Sequence, residues 1–148
     1  MAVKPSQAVE RAWARLIKAQ RTALGRVEGA LKAAGLPPLA WYDALLELER
    51  AGAPGLRPFE LERTMLLEQY NLSRLLDRME RAGYVERRAY AQDGRGQLVA
   101  ITNAGKAMRR RIWPVYAAAI EEAFGRHLTE QQAKSLDALL GALIAKRS

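Results

Sequence analysis

The sequence predicts a mainly α-helical chain that carries one small two-stranded β hairpin near its centre. Three observations lead there. Apolar residues recur at helical spacing through most of the 148 positions. Between Leu56 and Gly105, two short helical patterns precede two extended arms around an Asp93-Gly94-Arg95-Gly96 tip. Pro- and Gly-containing breaks then separate this stretch from long helical patterns on either side.

In chain order, residues 1–5 form a tail and Pro5-Ser6 opens the first helix, with Ser6 as its N-cap. Val9, Trp13, Leu16, Ile17, Ala23, Leu24, Val27 and Leu31 give this helix a broad apolar face, and Gly35 stops it. Its many Lys and Arg residues read mostly as a solvated face. Leu36-Pro37-Pro38 breaks the chain. A second helix follows from Leu39 to Arg50, apolar on more than one side through Leu39, Trp41, Tyr42, Leu45, Leu46 and Leu48. Such a helix is buried on more than one side. Residues 51–55 are a loop by composition.

The central stretch begins with Pro58, which suits the first turn of a helix because its missing N–H costs nothing there. Phe59, Leu61, Met65 and Leu66 supply that helix's core contacts, and Arg57 stands where a Ser or Thr cap is usual. After the turn Leu67-Glu68-Gln69-Tyr70, residues Leu72, Leu75, Leu76 and Met79 form one apolar stripe. The opposite face carries Asn71, Ser73, Arg74, Asp77, Arg78 and Arg81, whose side chains can hydrogen-bond to bases and phosphates. Gly83 ends the helix. Tyr84–Arg88 and Gln97–Ile101 read as the hairpin strands, giving helix, turn, helix and hairpin wing. Thr102 or Asn103 then caps a long helix to about Phe124, with a bend predicted at Trp113-Pro114. Thr129-Glu130-Gln131-Gln132 has capping-box form and starts a last helix lined by Ala133, Leu136, Leu139, Leu140, Leu143 and Ile144.

Composition narrows the function. The net charge is +8, which favours an anionic partner, and nucleic acid is the usual one. The chain has no cysteine and one histidine, His127, so neither a thiol switch nor a metal site is expected. There is no phosphate-cradling glycine loop and no nucleophile elbow, so neither an enzyme nor a cofactor is expected. No apolar run reaches membrane-spanning length and the N-terminus lacks the apolar core of a secretion signal; a cytoplasmic protein is expected.

The segment LSRLLDRMERAGYVER at 72–87, Asp93-Gly94-Arg95 and Ile101-Thr102-Asn103-Ala104-Gly105 together resemble the MarR family of winged helix-turn-helix transcription regulators. Ile101 stands where the family usually has Leu, and Glu68 and Tyr70 stand where many members carry small or hydroxyl residues. The resemblance implies a single domain over 1–148. Its winged helix-turn-helix core spans 56–102 and is flanked by dimerisation helices at 6–34 and 103–146. The apolar stripes of the first and last helices are too long to be covered within one small domain, which itself points to a homodimer.

DNA contacts are expected from Gln69, Asn71, Ser73 and Arg74 at the start of the recognition helix and from Arg78 one turn on. Arg87 and Arg88 at the wing base suit backbone contacts, and Arg95, oriented by Asp93, suits a narrow minor groove. The partner would be double-stranded DNA with a pseudo-palindromic operator. The aromatic residues read first as core. The resemblance adds an effector site for a small aromatic or anionic compound, with Trp13, Arg21, Trp41, Tyr42 and Asp43 as its candidates. Repression by blocking promoter access is what the family implies. The rival reading is a winged-helix module that binds a protein partner and has no specific DNA site.

Overall fold

A computed structural model of the chain describes residues 2–89 and 96–145. Helices α1 (Gln7–Ala33), α2 (Leu39–Ala51), α3 (Pro58–Thr64) and α4 (Leu72–Arg81) precede strands β1 (Val85–Ala89) and β2 (Gln97–Ile101). Helix α5 (Asn103–Ala123), a short 3-10 turn (Gly125–His127) and α6 (Glu130–Ile144) complete the order. The predicted mainly helical class with one small β wing is observed. The chain divides into two units, residues 31–115 and residues 1–30 with 116–148.

The first of these units holds the compact core. Ala44, Leu45 and Leu48 of α2, Leu61 and Met65 of α3, and Leu72, Leu75, Leu76 and Met79 of α4 are buried together with Val85 and Val99 of the wing. The predicted apolar stripe of α4 is thus the face it buries. Burying four such side chains is worth roughly 1.5–3 kcal/mol each, which fixes the rotation of the helix about its own axis. Trp41 of α2 meets Tyr84 edge to face at 5.9 Å, closing the core where the wing begins.

Local chemistry sets the element ends. The Ser6 hydroxyl accepts from Val9 N–H at 3.2 Å, as its N-cap role requires. Glu60 accepts from Arg57 N–H at 2.9 Å, so α3 keeps the reaching-back half of a capping box without a Ser or Thr. Gly83, at φ 84, lets Tyr84 N–H return to Met79 O at 3.0 Å and terminates α4. Thr102 caps α5 by accepting from Gly105 N–H at 3.0 Å, and α5 stays helical through Pro114 to Ala123. Thr129 and Gln132 form the full capping box of α6.

The wing strands are antiparallel, with Val85 opposite Ile101 and Ala89 opposite Gln97. A third rung comes from Leu56, whose N–H and C=O pair with Val99 at 2.9 and 2.8 Å. The loop predicted over 51–55 therefore ends in sheet pairing. Gly55 makes this possible: its φ is 114, and a Cβ there would stand 2.2 Å from Val99 O.

The other unit is built differently. Among its described residues only Val27 and Ala119 are buried. Val9, Trp13, Leu16, Phe124, Leu139, Leu143 and Ile144 are exposed, Ile144 at 82%. Among the described residues no helix is long and apolar enough to cross a membrane.

Candidate nucleic-acid interface

Helix α4 buries Leu72, Leu75, Leu76 and Met79, so its 3.6-residue period turns Ser73, Arg74 and Arg78 outward. All three are exposed and carry hydrogen-bond donors. Arg88 is also exposed, though its guanidinium pairs with Glu86 on the same strand. The wing strand β1 packs beside α4, so the reading face is a helix with a wing at its flank. Asp93 and Arg95 lie outside the described residues.

Other predicted contacts have structural tasks. The Asn71 side chain caps α4, its Oδ1 accepting from Arg74 N–H at 3.0 Å. Bidentate reading of adenine needs both the amide oxygen and nitrogen, and here the oxygen is already engaged. Gln69 is only half-exposed. Arg87 turns back to the recognition helix: its Nη2 donates to Asp77 Oδ1 at 2.5 Å and to Ser73 O at 3.3 Å. Its Nε lies 3.9 Å from Glu80 and is enclosed without a hydrogen-bond partner among the described residues. Arg87 thus clamps the wing to α4 and is less suited to a phosphate than its sequence position suggested. Of its partners, Asp77 was read from the sequence only as part of the polar face and Glu80 had no assigned role. Their spacing on one helical face opposite a strand arginine was the available signal.

The turn entering α4 is held from behind by Asp43. This carboxylate is 5% exposed and accepts from Leu66 N–H at 2.9 Å and Leu67 N–H at 2.7 Å. Both oxygens serve the backbone just after α3, so Asp43 of α2 fixes where the turn leaves α3. Its neighbour Tyr42 stacks on Trp113 of α5 at 6.1 Å, and Trp41 is taken up by Tyr84. Of the effector candidates in this unit, each therefore has a packing or hydrogen-bonding role. Trp13 and Arg21 belong to the other unit and are exposed. Arg109 of α5 donates to Glu49 of α2. That hydrogen bond raises the Arg109 guanidinium above its ordinary range, burial opposes the rise, and Tyr42 adds to it. Among the described residues no three His, Cys, Asp or Glu side chains are placed to hold a metal ion.

Comparison with known proteins places this geometry. Residues 34–96 match the family model for the MarR family. The chain is 30% identical to the multiple antibiotic resistance protein MarR of Escherichia coli K12 over 56% of its own length and 58% of the relative's. It is 32% identical to an HTH-type transcriptional regulator of Bacillus cereus over 68% and 65% of the two lengths. The chain therefore spans less than two thirds of either relative in these alignments.

Among solved structures, Sco3205 of Streptomyces coelicolor, a MarR family transcriptional regulator in complex with DNA, superposes with a TM-score of 0.86 at 25% identity. The match covers 97% of this chain and 89% of that one. A mutant MarR of E. coli complexed with operator DNA shares the fold at a TM-score of 0.78 and 24% identity, covering 95% and 100% of the two chains. With the capped reading helix, the paired wing and these likenesses together, the chain is similar to the MarR family, and the solved structures that share its fold are MarR family transcription regulators.

Proposed function

We propose that the chain is a sequence-specific double-stranded DNA-binding regulator that works as a cytoplasmic homodimer, represses by occupying an operator, and is released by a small aromatic or anionic effector. The carrying observation is α4, whose apolar face is buried while Ser73, Arg74 and Arg78 point outward beside a wing. The +8 charge supplies the general attraction to phosphates. DNA complexes of two structural neighbours support the same reading. The dimer rests on the exposed apolar side chains of α1 and α6, such as Trp13, Leu139 and Leu143, which a second copy would cover. Two reading helices then meet a pseudo-palindromic site. Repression and effector release rest on the family resemblance. Because Asp43 is engaged by backbone N–H groups, an effector would find its polar partner elsewhere, with Arg21 the exposed candidate.

The test is selection of binding sites from random DNA, followed by affinity against salt for wild type and two variants. Arg74→Ala should cost roughly 1–3 kcal/mol per half-site and relax preference at one base. Arg95→Ala should weaken binding on all sequences and flatten the salt slope by about one unit per lost phosphate contact. A wild-type protein that enriches no sequence refutes the DNA reading and favours the protein-interaction module.

A further inference from the structure

The surface at the entry to α4 carries an aromatic ring that no core claims. Tyr70 stands directly before the N-cap and is fully exposed, and Leu66, earlier in the same turn, is 76% exposed. A single exposed ring is ordinary on a protein surface. This one sits in the segment that a helix-turn-helix inserts first, with Ser73 and Arg74 exposed just behind it. Asn71 has its amide oxygen engaged by the helix cap, and Gln69 is partly covered. Of the three residues 69–71, Tyr70 is therefore the one whose side chain is both exposed and, among the described residues, uncommitted.

We propose that Tyr70 is a specificity-determining residue of the DNA interface, its ring packing on the 5-methyl group of a thymine in the major groove. The inference rests on the reading of the chain as a sequence-specific DNA binder. The thymine methyl is the apolar feature of the major-groove edge and is read by apolar contact, as phenylalanine, alanine and threonine side chains do. Tyr70 offers the same apolar face and keeps its O–H at the wet rim. Arg74 and Arg78 bring the positive charge that draws the phosphate backbone to this spot. With the Asn71 oxygen drawn toward the helix cap, Tyr70 is the neighbouring side chain placed to meet an A·T pair from its thymine side.

The test uses the full chain and the operator selected by the wild type, with each thymine replaced in turn by deoxyuridine, which removes only the methyl. At one position per half-site, the replacement should lower wild-type affinity by roughly three- to fivefold, the worth of one buried methyl. Tyr70→Ala should bind the thymine operator more weakly and be indifferent to deoxyuridine at that position. Tyr70→Phe should retain the wild-type methyl dependence, which separates ring contact from any effect on folding. Equal deoxyuridine penalties in wild type and Tyr70→Ala at every position, or no penalty in either, overturn the proposal while leaving the DNA reading in place. Failure of the wild type to select any sequence overturns both.

Discussion

Replacing Asp43 tests whether the reading helix is positioned from α2. The carboxylate accepts two backbone N–H bonds, at 2.9 and 2.7 Å, while 5% exposed. A hydrogen bond to a charged group contributes about 1.5–3 kcal/mol, and each donor left without a partner costs about 1–3 kcal/mol. Those figures describe the same loss from two sides and are not summed. The two donors lie at an edge where the Leu66 side chain is exposed, so water can satisfy part of the loss. Asp43→Ala should therefore destabilise by roughly 2–4 kcal/mol, a large share of an ordinary stability of about 5–15 kcal/mol. Asp43→Asn keeps the shape but turns an amide N–H2 toward one of the two donors, so it should cost nearly as much. Urea unfolding of the three proteins, followed by circular dichroism, gives the differences directly. An Asn variant within about 0.5 kcal/mol of wild type would refute the positioning role. It would then restore Asp43 as a residue free to meet an effector.

A double-mutant cycle on Arg87 and Asp77 should return a coupling of about 0.5–1.5 kcal/mol. Because Asp77 is 49% exposed, the coupling should shrink in high salt. Zero coupling at low salt would show that the Arg87–Asp77 ion pair does not hold the wing to α4. Sedimentation should find the intact protein dimeric at micromolar concentration, and truncation after Gly125, which removes α6, should abolish that dimer. A stable, monodisperse monomer of the intact chain would sink the homodimer.

What could be read from residues alone was what local chemistry decides. Gly35 and Gly83 as helix stops, Pro58 at a first turn, Ser6 as a cap and Thr129 with Gln132 as a capping box act over a few residues, and each is where it was expected. The β1 strand starts one residue later than predicted because Tyr84 N–H is spent on Met79 O. Leu56 was missed as a sheet rung because its partner, Val99, is far along the chain and glycine-rich composition just before it reads as loop.

The reading face shows the same division more sharply. Asn71 has one chemistry for two tasks, capping and base reading, and only the position of its oxygen tells which is in force. Arg87 lies on a strand where either face was open to it, and the carboxylates of Asp77 and Glu80 decide the direction. Asp43 stood out as a charge in an apolar helix, but its partners are main-chain N–H groups, which every non-proline residue has and no sequence pattern marks. Once these structural tasks are assigned, the exposed side chains left for DNA on the described part of the face include Tyr70, Ser73, Arg74, Arg78 and Arg81, with Arg88 already shared with Glu86. That set has the Tyr70 ring and the Ser73 hydroxyl to address bases and its positive charge in arginines. Base preference should then respond to Tyr70, Ser73 and Arg74, while Arg78 and the wing govern how steeply affinity falls with salt.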